Sequence, residues 1–444
     1  MYASRLAASV GFFFQVDREV SVPRLSPEKQ RQFAVEVVER LRAAGFEAYW
    51  AGGCVRDRLM GREPKDYDVA TNATPPQIRQ VFGPRKTLAI GAAFGVITVL
   101  GPIGAGQIEV ATFRQDAAYS DGRRPDGVTF STAEEDVARR DFTINGLFCD
   151  PIEDRVIDFV GGQADLANRT MRAIGDPVQR FEEDKLRLLR AIRFAAAFEF
   201  EIEPGTLDAI GRMASQIVVV SAERIAAEMQ RMLVDPHRTL AVRRLRQTGL
   251  MAAILPEIAA QDVPGNERFE HTLAILARLC NPGFPLALAC LLHRWVDVAA
   301  AEAICRRWRL SNQQSDRVVW LVEHQGDLWR AGMMRWSALQ PLLAAEGAGD
   351  LVALCEATSQ AGLGDAAAVD HCRQLLQQPR ALLDPPPLLS GNDLIRHGIA
   401  PGPVFHLLLD RVRQAQLDRE IQTQKEAFEA VDRILHETAE KGTE

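Results

Sequence analysis

The chain has 444 residues, 47% of them hydrophobic and 25% charged, with a formal net charge of −7. This is the composition of a soluble globular protein of two to four domains, and no run approaches the ~18 apolar residues of a membrane span. The negative balance means that any nucleic-acid partner has to be met by localised basic residues, and the seven scattered cysteines form no CxxC pair or zinc spacing, which predicts reduced thiols in a cytoplasm and no structural zinc.

Residues 1–28 read as a poorly ordered N-terminal extension: the apolar stretch is short, and Gln15 and Asp17 end it without a clear cleavage site. Over 27–45, Phe33, Val35, Val37, Val38 and Leu41 recur near helical spacing and Gly45 closes the helix. The stretch 49–69, YWAGGCVRDRLMGREPKDYDV, is the densest in chemistry. A strand ends at Trp50-Ala51 and meets Gly52 and Gly53. A short helix follows, with Arg56 in its first turn, then a Gly61/Pro64 turn and a strand carrying residues 65–69. Side chains two apart on a strand share a face, so Asp66 and Asp68 point one way and Tyr67 and Val69 the other. Adjacent carboxylates repel unless a cation sits between them, and oxygen-only ligands suit Mg²⁺, which completes its shell with water and phosphate oxygens. Glycines let backbone N–H groups approach a phosphate closely, a helix N-terminus favours an anion, and Arg56 could grip the same triphosphate.

Thr74 before Pro75 predicts a helix start, with the helix running to Phe82. Gly95–Leu100 and Gln107–Phe113 read as a hairpin around the turn GPIGAG. Glu109 is the only acid of its apolar run, so it is either an edge-strand residue or a carboxylate that needs a cation. Residues 114–130 read as a long loop containing Arg123 and Arg124. Ser131 and Glu134 have the spacing of a capping box; the helix that follows leads into Arg139-Arg140-Asp141-Phe142-Thr143-Ile144-Asn145. After a short β-like segment, RVIDFVGG, the chain becomes almost wholly helical. In 180–200, read as one helix, Asp184, Arg187, Arg190 and Arg193 recur every three residues, so consecutive members are surface neighbours. Read without a family, that stripe is a salt-bridged face. Further helices follow over 205–213, 222–234, 240–249 and 252–258. The run DPPP at 384–387 marks a linker before a helical tail.

Three stretches together resemble the polymerase-β-like nucleotidyltransferases, in the class II branch of CCA-adding tRNA nucleotidyltransferases and bacterial poly(A) polymerases. They are Gly-Gly, Val-Arg-Asp and Asp-x-Asp within 52–68, RRDFTINGL at 139–147, and EDKLRLLRAIRF at 183–194. The resemblance implies an α+β protein: a small mixed β-sheet head (29–155), then an elongated helical neck (156–240), body (241–383) and tail (384–444) that contacts tRNA. It implies Asp66, Asp68 and Glu109 as the catalytic ligands of two Mg²⁺ ions. It places Gly52, Gly53, Arg56 and Arg140 on the nucleotide, with Asp141 and Asn145 as support. Asp184, Arg187, Arg190 and Arg193 would read the base, and 114–130 would be a mobile loop over the site. The reaction implied is addition of C and A from CTP and ATP to a tRNA 3′ end, with release of pyrophosphate. A poly(A) polymerase or an A-only enzyme uses the same motifs, and a non-catalytic RNA-binding protein would keep the scaffold alone. Residues 268–325 resemble a His-Asp phosphohydrolase domain through His271 and His293, but Arg294 stands where that family's metal-binding Asp should be, which points to a retained scaffold without its metal.

Overall fold

The computed structural model describes residues 25–116, 128–263 and 265–441. The N-terminal 1–24 and the expected loop residues Arg123 and Arg124 lie outside the described residues. The described residues form two compact units, one ending at Leu166 and the other beginning at Ala167.

The first unit opens with α1 (Pro27–Ala43), where Ser26 accepts the Lys29 N–H and Pro27 fills the first turn. Its apolar stripe of Phe33, Ala34, Val37, Val38 and Leu41 is buried, as amphipathic spacing requires. Gly45, at φ +86°, reverses the chain into β1 (Ala48–Ala51). The Trp50 indole N–H then donates to Ala34 O at 3.2 Å, tying β1 to α1. Then come α2 (Gly53–Leu59), β2 (Asp68–Thr71) and α3 (Pro75–Phe82), the last started by Thr74 in a capping box with Gln77. Strands β3 (Thr87–Leu88), β4 (Val96–Leu100), β5 (Gln107–Thr112), β6 (Arg114–Asp116) and β7 (Val128–Phe130) follow. The unit continues with α4 (Ala133–Ala138), β8 (Leu147–Asp150), β9 (Arg155–Asp158) and α5 (Gly162–Ala167). Helix α4 is capped one residue later than the sequence pattern indicates: Thr132 and Glu135 make the reciprocal bonds, because Ser131 is held back by its own N–H bond to Phe113 O.

Among the described residues, seven strands form one sheet in the order β3-β4-β5-β2-β1-β8-β9. Only β2 and β5 pair in parallel, so the sheet is mixed. One face packs into a core of Trp50, Tyr67, Val69, Ile108 and Val110 together with the stripe of α1.

The second unit begins with β10 (Thr170–Met171), α6 (Pro177–Glu183) and α7 (Leu186–Ala197). It continues with β11 (Glu201–Ile202), α8 (Pro204–Met213) and α9 (Ala222–Val234). The single helix expected over 180–200 is thus two. The break is Asp184, at φ −146° and ψ 103°, whose Oδ1 accepts the Leu186 N–H at 3.0 Å and starts α7. An Asp able to accept a backbone N–H competes with helix continuation, and here it prevails. The rest is helical. The helix Phe284–Leu292 is apolar on all sides and buried nearly throughout, which fits a central position in its unit. A separate cluster of Leu389, Leu394, Leu408, Val412, Ile421 and Val431 holds the C-terminal helices. Among the described residues no single helix is long and apolar enough to cross a membrane.

His293 ends the buried helix. One ring nitrogen lies 2.8 Å from Cys290 O and the other has no partner among the described residues. Burial, helped by the Arg294 charge, pushes its pKa down to about 4. The folded protein therefore holds the imidazole neutral, while the unfolded chain protonates it near its ordinary value. The unfolded state binds the extra proton between those two values, so stability falls as the pH drops through that window, by on the order of 3 kcal/mol for this group. Wild type should lose stability relative to His293→Gln between pH 7 and pH 4.5 in denaturant titrations. An advantage of the same size at both pH values would refute a neutral, buried His293.

Candidate active site

The sheet register assembles the site. Parallel pairing sets Asp68 opposite Glu109, and antiparallel pairing sets Ala51 opposite both Asp68 and Phe148. Directly paired residues share a face, so Glu109, Asp68, Ala51 and Phe148 form a row across β5, β2, β1 and β8. The row points away from the core that holds Val69 and Val110. Asp66 does not lie in a strand, as the sequence pattern had it; β2 begins only at Asp68. The alternation holds regardless: Tyr67 and Val69 are buried while Asp66 and Asp68 are exposed. Glu109 is not an edge-strand residue, since β5 is an interior strand; its side chain is exposed and lies opposite Asp68.

Among the described residues, none of these three carboxylates has a hydrogen-bond or ion-pair partner. Asp68 is exposed by surface area, yet the surrounding protein displaces enough water for desolvation to lead. With the Glu109 charge, and with Asp66 adding to it against the opposing Arg140, this lifts the Asp68 pKa to about 6. Among the described residues no group of three metal-binding side chains is placed to hold an ion as it stands, as mutual repulsion favours. The donor set is nonetheless three exposed carboxylates with no ion-pair partner among the described residues, and such hard oxygen donors suit a divalent metal with oxygen preference.

The glycine turn lies beside the row. Gly52 has φ +69°, a conformation that favours glycine, and a Cβ there would come 3.1 Å from Arg140 Nη1, so the guanidinium would have to shift. Arg140 lies over the Phe148 ring, 5.0 Å from its centroid, and donates through Nη1 to Asn145 O at 3.2 Å. Arg56 is buried rather than held out toward a ligand: it donates to Asn145 Oδ1 at 2.5 Å and to Asp57 Oδ1 at 2.7 Å. Asn145 in turn donates to Asp141 Oδ1 at 3.0 Å. The Arg56–Asn145–Asp141 chain thus staples α2 to the segment after α4. Cys54, inside the motif, is buried, and burial pushes its thiol up to about 12, so it is no nucleophile near neutral pH.

In the second unit the expected stripe is fully engaged. Asp184 sits off the helix and takes a two-pronged bond from Arg224 of α9, at 2.7 and 3.2 Å. Arg187 is buried and donates to Glu183 at 2.6 Å and to Arg180 O at 2.8 Å. Arg193 pairs at 2.5 Å with Glu228, which is 1% exposed, and Arg190 lies over the Phe194 ring at 5.2 Å. Sequence reasoning missed Arg224, Glu183 and Glu228, and in the first unit Asp136. The Asp136/Arg139/Arg140 spacing, i to i+3 and i+4, was a usable signal; the partners on α9 are too distant in sequence to have given one.

A mixed sheet with clustered carboxylates beside a glycine turn, followed by a helical unit, is the architecture of a nucleotidyltransferase. Family models agree: one described as "Poly A polymerase head domain" matches residues 48–172, and one described as "Probable RNA and SrmB- binding site of polymerase A" matches 199–262. A CCA-adding enzyme of Limosilactobacillus fermentum is 34% identical over 412 residues, covering 87% of this chain and 94% of that one. One from Enterococcus faecalis is 44% identical over 206 residues, covering 46% of this chain and 50% of that one. The crystal structure of the Bacillus stearothermophilus CCA-adding enzyme in complex with CTP superposes with a TM-score of 0.70 at 27% identity, covering 93% of this chain and 99% of that one. The chain belongs to the family of CCA-adding enzymes and bacterial poly(A) polymerases.

Proposed function

We propose that this protein adds C and A to the 3′ ends of tRNA from CTP and ATP, releasing pyrophosphate. The observation that carries the reading is the row of Glu109 and Asp68, with Asp66 beside it, ending at an arginine pressed against a glycine turn. In this reading Asp66, Asp68 and Glu109 hold Mg²⁺. When bound, the metal makes the attacking tRNA hydroxyl easier to deprotonate and offsets charge on the phosphates. Arg140 donates to oxygens of the incoming triphosphate, which approaches closely because Gly52 and Gly53 lack side chains. Arg56 acts one step back, holding Asn145 and through it the segment that carries Arg140. The 3′-hydroxyl attacks the α-phosphorus and pyrophosphate departs, with no covalent enzyme intermediate. Asp184 and Arg187 read the base, with Arg190 and Arg193 holding their helix.

The head, neck, body and tail are assigned to catalysis, base reading, scaffold and tRNA contact respectively. The seven free cysteines fit a reducing compartment, and the cytoplasm is the proposed location. The deciding experiment is a product ladder on tRNA lacking its terminal CCA, with CTP alone, ATP alone and both. The expected result is two added nucleotides with CTP and a third only when ATP is present. Long A tracts would assign poly(A) synthesis, and addition of a single A to tRNA already ending in CC, with no use of CTP, would assign an A-only enzyme.

A further inference from the structure

The carboxylate of Asp136 on α4 is 1% exposed and meets two arginines at once. Its Oδ2 accepts Arg140 Nε at 3.2 Å and Nη2 at 2.9 Å. Its Oδ1 accepts Arg139 Nε at 3.0 Å, Arg139 Nη2 at 2.6 Å and the Arg114 backbone N–H at 3.3 Å. Arg139 closes the ring by donating to Arg114 O at 3.0 Å. A buried carboxylate stays charged only when partners outweigh desolvation. Burial alone would push Asp136 up, but Arg140 and Arg139 together hold it below the usual range.

The consequence concerns Arg140. A guanidinium has five N–H donors in a fixed plane. The Nε edge of Arg140 is committed to Asp136, and one Nη1 hydrogen goes to Asn145 O. The donors left for a ligand sit at the Nη tips, where Nη1 would touch a Cβ at Gly52. Asp136 therefore decides which edge of Arg140 faces the glycine turn. It also holds two neighbouring cations that would otherwise repel each other. We propose that Asp136 is a positioning residue for nucleotide transfer, aiming Arg140 at the incoming triphosphate without touching substrate. This rests on the reading given above, in which Arg140 meets the nucleotide.

The test is a double-mutant cycle on the full-length enzyme, with kcat and KM measured separately for CTP, ATP and tRNA. Asp136→Asn keeps the shape and removes the charge. It should raise KM for both nucleotides about tenfold, the scale of one charge-assisted hydrogen bond, and leave KM for tRNA within about twofold. Arg140→Ala should do at least as much. The double variant should be no worse than Arg140→Ala alone, because Asp136 then has nothing to aim. Asp136→Glu, which restores the charge on a longer arm, should recover part of the loss. If the Asp136→Asn protein does not fold, the cycle is run with Asp136→Glu, which should raise nucleotide KM roughly threefold and only while Arg140 is present. Multiplying losses in the double variant would overturn the proposal. So would a folded Asp136 variant with wild-type nucleotide KM beside an impaired Arg140→Ala, and in that case the reading of Arg140 would stand. A normal nucleotide KM in Arg140→Ala would remove that reading and the positioning role with it.

Discussion

Asp68→Asn is expected to cut nucleotide transfer by at least ~10²-fold while leaving the protein as stable as wild type or more so. The two effects have one cause. Asp68 is raised to about 6 because desolvation and the Glu109 charge oppose its ionisation. A group whose folded pKa lies above its unfolded value destabilises the fold when ionised, above the folded pKa. That cost fades as the pH falls from about 6 toward the ordinary carboxylate range. The asparagine variant escapes it, so its advantage in melting temperature should be present at pH 7.5 and shrink by pH 4.5. Asp66→Asn and Glu109→Gln should also lose transfer, since each removes an oxygen ligand from the same face. Retention of more than about a tenth of wild-type kcat, a change of only ~1.4 kcal/mol, would remove any of the three from the metal site. A variant that lost both activity and stability would point instead to a structural carboxylate. Strain at a site that a ligand relieves is the usual trade between stability and function.

The first unit was legible in the sequence because its information is local. The apolar stripe of α1, the Pro-led α3, the GPIGAG hairpin and the Asp66/Asp68 alternation follow from neighbours within a few residues, and each is where the pattern puts it. What the pattern alone did not show was the lateral row, because Ala51, Asp68, Glu109 and Phe148 are joined only by strand order. Ala51, read only as the end of a strand, sits between Asp68 and Phe148 in that row. Asp184 was misplaced for a related reason. Helical spacing on both sides hid a residue that caps α7 instead of continuing α6, and the partner that holds it, Arg224, is 40 residues away. Arg56 shows the limit of reading a role from a motif. The motif gives its position, but not its burial or its bonds to Asn145 and Asp57.

Removing the Asp184 side chain should reduce use of CTP and ATP together and narrow their advantage over UTP and GTP. The preference follows from donors and acceptors. On the Watson–Crick edge, cytosine and adenine each place an exocyclic amine beside a ring-nitrogen acceptor. Uracil and guanine place a carbonyl oxygen beside a ring N–H. An ionised Asp only accepts and an Arg only donates. Asp184 and Arg187 thus suit C and A, and against U and G they leave acceptor facing acceptor and donor facing donor. The ion pairs of the second unit bear on this directly. Arg224 orients the Asp184 carboxylate, and Glu183 orients the Arg187 guanidinium. A template held in place before the base arrives loses less entropy on binding. The same contacts also describe a purely structural network, and the two roles predict different numbers. For a base reader, Asp184→Ala should lower kcat/KM for CTP and ATP by about a hundredfold and change UTP and GTP far less, because unpaired polar groups carry the discrimination. Arg224→Ala keeps the carboxylate but frees it, so it should cost CTP and ATP less than Asp184→Ala does, with part of the preference kept. For a structural network, both variants should lower all four nucleotides by one common factor and melt earlier. Equal losses across the four bases in Asp184→Ala would return the Asp184–Arg224 pair to the role of joining α7 to α9.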